Sequence, residues 1–87
     1  MKNQLDNAAI VDVRTPEEFA QGHYPGAVNI PLNQVSERIG ELKDIEKPII
    51  AYCRSGNRSG MAVSIMIQNG IMEAFNGGAL EDLLQVK

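Results

Sequence analysis

The sequence predicts an α/β fold, with a central, mostly parallel sheet of four to five strands and helices on both faces. Three observations carry this expectation. Short runs rich in β-branched residues, at 8–13 and 48–52, alternate with segments of helical period. The runs are apolar almost throughout, as strands buried on both faces are. Enough chain separates successive runs to hold a helix, which parallel neighbours require. The length of 87 residues sets the scale at one domain spanning 1–87.

The elements follow in order. Residues 8–13 make a buried strand. Thr15 is placed to cap a helix, Pro16 suits its first position, and Glu18 completes a capping box. This helix is short and stops near Gln21-Gly22; Tyr24-Pro25-Gly26 turns the chain into a second strand at 27–30, closed by Pro31. Val35, Ile39 and Leu42 fall at i, i+4, i+7, one apolar stripe of a second helix for which Asn33 is the expected cap. Residues 48–52 are the clearest buried strand. From Met61 to Gln68 the chain is apolar nearly all round, so a central buried helix is expected, stopped by Asn69-Gly70. Residues 74–76 form a last strand, Gly77-Gly78 a turn, and Leu80, Leu83 and Leu84 the inner face of a final helix.

Composition excludes several functions. Eight Lys+Arg against eleven Asp+Glu leave a net charge of −3, which argues against general nucleic-acid binding. No apolar run approaches the roughly 18 residues of a membrane span. The polar residues 1–7 do not resemble a secretory signal, which points to a cytoplasmic protein; a mature periplasmic domain without its leader reads the same way. The single cysteine, Cys53, excludes an internal disulfide, a CxxC redox pair and a cysteine-based zinc site. No metal or cofactor motif is present, and a monomer is expected.

The chemistry concentrates in Cys53-Arg54-Ser55-Gly56-Asn57-Arg58-Ser59-Gly60, between the end of the third strand and a helix start expected near Ser59. In parallel sheets, ligands bind beyond the carboxyl ends of the strands. A lone cysteine after an apolar strand is ordinarily an inert core thiol, but a core thiol has no need of this loop. Gly56 can adopt positive φ, so the backbone N–H groups can turn inward as a nest for negative charge. The helix N-terminus and the cations of Arg54 and Arg58, with no carboxylate between them, add to that field. Cys53 is therefore expected to be largely thiolate at neutral pH. It would attack the outer sulfur of an anionic donor such as thiosulfate, expel sulfite, and pass the sulfur from a persulfide to cyanide or another thiol. Arg54, Ser55, Gly56, Asn57, Arg58 and Ser59 are the expected substrate-binding residues. Gly56 and Ser59 act there through backbone and capping, and Arg58 is expected to outweigh Arg54.

Four segments resemble the rhodanese superfamily. Asp12-Val13-Arg14-Thr15-Pro16-Glu17-Glu18-Phe19 is similar to the family's DVR-x-x-x-E-[FY] signature, and Gly22-His23-Tyr24-Pro25-Gly26-Ala27-Val28-Asn29-Ile30-Pro31 to its G-H-I-P-G-A-x-N-I-P segment. Cys53 to Arg58, followed by Ser59, matches the six-residue active-site loop, and Asn76-Gly77-Gly78 the late x-G-G turn. The resemblance implies a single-domain sulfurtransferase similar to thiosulfate sulfurtransferases and the small phage-shock members, with the persulfide on Cys53 and loop amides as its cradle. It also implies structural parts for Asp12 and Arg14. Asp12 would accept backbone N–H groups and Arg14 would pair with Glu18, while His23, far from Cys53 in sequence, stays outside the chemistry. Only residues 1–7 precede the first strand, too few for the extra strand and helix of many members, so an exposed sheet edge is expected.

Two other functions compete. Cysteine-dependent phosphatases and arsenate reductases use C-x5-R around a tetrahedral oxyanion; here Arg58 gives C-x4-R, a tighter loop suited to one sulfur atom. A binding module or persulfide carrier for a protein acceptor is the other, and the retained Cys53 and arginines favour sulfur chemistry over a bare adaptor.

Overall fold

The computed structural model describes residues 8–85; the readings made on residues 1–7 lie outside the described residues. Four strands, β1 (Ala9–Asp12), β2 (Val28–Asn29), β3 (Ile49–Cys53) and β4 (Ala74–Ala79), form one sheet in the order β2-β1-β3-β4, every pair parallel. The helices are α1 (Pro16–Ala20), α2 (Ile39–Asp44), α3 (Asn57–Gln68) and α4 (Leu80–Leu84). No helix among the described residues is long and apolar enough to cross a membrane.

Strand alternation divides the core. Val11, Val13, Ile49, Ala51 and Cys53 face one side, against Leu42 of α2 and Ala62 and Met66 of α3. Ile10, Tyr52 and Ile50 face the other, against Leu83 of α4 and Tyr24. Helices therefore cover both faces, which an all-parallel sheet needs. The Thr15 capping box forms as its sequence requires, with Glu18 N–H donating to Thr15 Oγ1 at 3.2 Å and Thr15 N–H to Glu18 Oε1 at 3.0 Å.

Several expected elements differ. The second helix is split: Leu32–Gln34 is a 3₁₀ turn, and α2 begins only at Ile39, with Arg38 in place of Asn33 at its cap. β-Branched Val35 and Ile39 together with Gly40 make this stretch a weak helix former. Burial of Val35 and Leu42 holds the apolar stripe without a continuous helix. α3 starts at Asn57, two residues before the expected point, and it is one-faced: Ala62 and Met66 are buried while Met61 is 58% exposed. Apolar composition all round the helix does not bury it when the sheet covers one side only.

Gly77-Gly78 is not a turn but lies inside β4, where the pairing slips: Ala51 opposes Asn76, and Tyr52 opposes Gly78. Gly77 is the bulged residue, and a Cβ there would stand 2.8 Å from Ile50 Cγ2. In α4, Leu83 is buried and Leu80 half-buried, but Leu84 is 52% exposed because the helix is too short to bring it inward.

Candidate active site around Cys53

Strand β3 ends at Cys53 and helix α3 begins four residues later, so the loop crosses the carboxyl end of the sheet. Gly56 caps α3 in the left-handed region at φ 96°, which a residue with a Cβ adopts only at a cost. That backbone turns the Gly56 N–H onto Cys53 Sγ at 2.9 Å. Ser59, in the first turn of α3, brings its Oγ to 3.5 Å from the same sulfur.

Cys53 is fully buried, and its β3 neighbours belong to the apolar core. The sulfur itself nevertheless meets amide and hydroxyl groups. Burial pushes the thiol up, but the Ser59 hydroxyl and the amides of Ser59, Ser55 and Gly56 outweigh it and bring Cys53 down to about 7. At that value roughly half of the thiol is ionised at pH 7, less than the largely thiolate form expected from sequence. Cys53 has no exposed surface, while Arg54, Ser55 and Asn57 of the adjoining loop are all exposed.

The site residues separate into distinct places. Ser59 is buried behind the sulfur, out of reach of a dissolved substrate. Arg58 is not a free cation: Nη1 and Nη2 donate to Glu18 of α1 at 2.7 and 3.1 Å, closing a bridge across the fold. The expected pair of free arginines is thus reduced to Arg54. Arg54 lines an open cleft of about 390 Å³ with Arg14, Glu18, Gln21, Gly22, Leu80 and Glu81, at the carboxyl ends of β1, β3 and β4. Arg58 lines a separate cleft with Val13, Thr15, Pro31, Leu32 and Asn33. The Arg58 guanidinium, with a smaller share from Thr15, holds the Glu18 carboxyl down at about 2.

Asp12 and Arg14 are architectural. Asp12 Oδ1 accepts the Arg14 backbone N–H at 2.9 Å, and Arg14 Nη2 donates to Asp12 Oδ2 at 2.7 Å and to the Gly22 carbonyl at 2.7 Å. The expected partner of Arg14, Glu18, is taken by Arg58 instead. Asp12, the last residue of β1, is two positions from Arg14 and buried, and a buried carboxylate without a cation is costly. Tyr52 joins the network: its hydroxyl donates to Asp12 Oδ2 at 2.7 Å and accepts the Tyr24 N–H at 2.9 Å. Burial, with the Asp12 bond behind it, pushes Tyr52 up to about 12. His23 stands apart, exposed, stacked on Phe19 with centroids 3.7 Å apart and Nδ1 2.9 Å from the Phe19 carbonyl oxygen.

Asn76 is the residue that sequence reasoning did not place in the site. From β4 its Oδ1 accepts from Ser59 Oγ at 2.6 Å, and its Nδ2 donates to the Gly56 carbonyl at 3.0 Å. A polar residue within the otherwise small or apolar strand next to the cysteine strand is the signal that could have found it. Its pairing opposite Ala51, which sets it beside the loop after β3, was not visible in the sequence.

Among the described residues no cluster of side chains could hold a metal ion. Around Cys53 Sγ the loop places the backbone N–H groups of Ser55, Gly56 and Ser59 and the Ser59 hydroxyl.

Comparison with known proteins agrees with this geometry. Residues 1–79 match the Rhodanese-like domain family. The chain is 40% identical over 78 residues to Thiosulfate sulfurtransferase PspE of Escherichia coli (strain K12), covering 88% of this chain and 75% of that protein. It is 42% identical over 67 residues to Putative sulfur carrier protein YrkF of Bacillus subtilis (strain 168), covering 77% of this chain but 36% of that one. A solved rhodanese with anions from E. coli superposes with a TM-score of 0.78 at 39% identity, covering 86% of this chain and 89% of the other. By family match, sequence identity and overall fold, this chain belongs to the rhodanese-like domain family.

Proposed function

We propose that the chain is a sulfurtransferase that carries a sulfane sulfur on Cys53 and takes it from thiosulfate or from a protein or low-molecular-weight persulfide. The observation that carries the reading is the Gly56 N–H held 2.9 Å from Cys53 Sγ at the N-terminus of α3. The thiolate attacks the outer sulfur of thiosulfate, that sulfur's bond to the sulfonate sulfur breaks, and sulfite leaves with the electron pair. The enzyme persulfide then bears the negative charge on its terminal sulfur, where the loop N–H groups and the helix N-terminus stabilise it. Attack by cyanide or a thiolate on that sulfur returns Cys53 as thiolate. Arg54, the exposed loop cation bordering the cleft, draws the anion in. The names of relatives such as PspE support this reading. The tight C-x4-R loop disfavours a tetrahedral phosphate, so thiosulfate is expected to be turned over far faster than p-nitrophenyl phosphate.

Intact mass after incubation with thiosulfate tests the proposal. The expected result is a gain of one sulfur atom, removed by cyanide or dithiothreitol and absent from Cys53→Ser. An unmodified chain, or an unchanged gain in the mutant, would overturn it. YrkF's description as a putative sulfur carrier favours a second reading, in which the acceptor is a protein thiol. In that case the persulfide forms but cyanide turnover stays slow.

A further inference from the structure

Ser59 has one hydroxyl hydrogen and three acceptors around it. Its Oγ lies 2.6 Å from Asn76 Oδ1, 3.1 Å from the Gly56 carbonyl oxygen and 3.5 Å from Cys53 Sγ. One hydrogen serves one of these well at a time. The Gly56 carbonyl already receives the Asn76 Nδ2 hydrogen at 3.0 Å, so the contest lies between Asn76 and the sulfur.

The orientation of the Asn76 amide decides that contest. The Gly78 N–H points at Asn76 Oδ1 from 2.9 Å. Turning the amide over would set an NH₂ against that N–H and would take the donor from the Gly56 carbonyl. The backbone on both sides therefore holds Oδ1 toward Ser59.

We propose that Asn76 is a positioning residue for the nucleophile: its Oδ1 competes with Cys53 Sγ for the single hydrogen of Ser59, so the hydroxyl accepts from the thiol and turns to donate only when the sulfur is charged. In the resting protein a chain runs from Sγ–H to Ser59 Oγ and from its hydrogen to Asn76 Oδ1. When the thiol proton leaves to solvent, the hydroxyl hydrogen swings to the thiolate, and Asn76 Oδ1 keeps the Gly78 N–H. When the outer sulfur is gained, charge moves off Sγ and the hydrogen returns to Asn76. Asn76 thus holds back part of the stabilisation that Ser59 gives the thiolate, and the short 2.6 Å contact makes that competition strong.

The charged groups near the site are Arg54 and Arg58 of the loop and first turn, Glu18 of α1 on Arg58, Arg14, which lines the cleft with Arg54 and is held by Asp12, and Asp82 of α4, whose Oδ2 accepts the Ala79 N–H at 3.2 Å. Asn76→Ala alters none of them, and the carboxylate that Asn76→Asp adds is common to both Ser59 backgrounds, so the comparison between backgrounds cancels these charges.

The inference rests on Cys53 being the nucleophile, and its test does not need sulfur transfer. The pH dependence of Cys53 alkylation by iodoacetamide is measured for the native chain, Asn76→Ala, Ser59→Ala and the double variant, with circular dichroism to confirm folding. Asn76→Ala is expected to lower the thiol midpoint more when Ser59 is present than when it is absent. The excess is expected to be about three- to tenfold in ionisation constant, which a double-mutant cycle isolates. A purely structural Asn76 would shift the midpoint equally in both backgrounds, and equal shifts or an excess of opposite sign overturn the proposal. Should Asn76→Ala not fold, Asn76→Asp in the same two backgrounds reads the same coupling. Its carboxylate is a stronger competitor, so the midpoint rises further with Ser59 than without it. Persulfide formation without this coupling sinks only this inference, and coupling without persulfide sinks only the proposed function.

Discussion

Glu18 joins the first helix to the active-site helix, and replacing it should cost stability in a pH-dependent way. Its carboxylate accepts from Thr15 N–H at 3.0 Å within the capping box and from Arg58 Nη1 at 2.7 Å. The carboxyl is held at about 2, against an ordinary 4.5. Taken whole, that displacement would correspond to about 3 kcal/mol of charge-dependent stability. The Arg58 and Glu18 side chains keep 34% and 25% of their exposure, so solvent screening reduces the pair to about 1 kcal/mol. Glu18→Gln keeps the capping geometry and loses only the charge, so it should cost that 1 kcal/mol, or about 4–8 °C in Tm for a domain of this size. Glu18→Ala also loses its half of the capping box, for a total of about 2 kcal/mol. Because the folded carboxyl lies below its unfolded value, its stabilisation is complete above about pH 4.5 and fades between there and about pH 2. Thermal or urea unfolding from neutral pH down to about pH 2 should therefore show native chain and Glu18→Gln converging at the acid end. A gap that stays constant to pH 2, or a Gln variant as unstable as the Ala variant, would refute the assignment of the charge to Arg58.

Three further outcomes are expected. The rate of Cys53 alkylation should rise with pH through a midpoint near 7, where the hydroxyl and amides around Sγ hold the thiol; a midpoint at or above the free-cysteine value of about 8.5 would remove the ionised nucleophile. Arg54→Ala should raise KM for thiosulfate more than Arg58→Ala does, reversing the order expected from sequence, because Glu18 already occupies Arg58; steady-state kinetics on the two variants decides it. Gly77→Ala should destabilise by about 1–3 kcal/mol, since its Cβ would stand 2.8 Å from Ile50 Cγ2 and 3.2 Å from Leu83 Cδ2, and by more than Gly60→Ala, whose Cβ meets the Asn76 amide at 3.3 Å but gains helix propensity. Equal melting temperatures for the two glycine variants would contradict the bulge packing.

The linear sequence determined what depends on neighbours along the chain. Alternation of apolar runs with helical stretches specified a layered α/β fold, because parallel strands buried on both faces must be apolar throughout. Thr15, Pro16 and Glu18 specified the start of α1, since a capping box closes within four residues. Cys53 to Ser59 specified a strand end, a left-handed Gly56 and a helix start, and those three suffice to aim an N–H at the sulfur. Tertiary structure decided whatever joins residues far apart. The partner of Arg58 is 40 positions away in α1, and the competitor for the Ser59 hydrogen is 17 positions on, in β4. Neither pairing leaves a local pattern, because each depends on which strand lies beside β3: β1, which leads into α1 and Glu18, on one side and β4 with Asn76 on the other. Burial of α3 was likewise not local: composition makes its faces alike, and only the sheet on one side makes them differ.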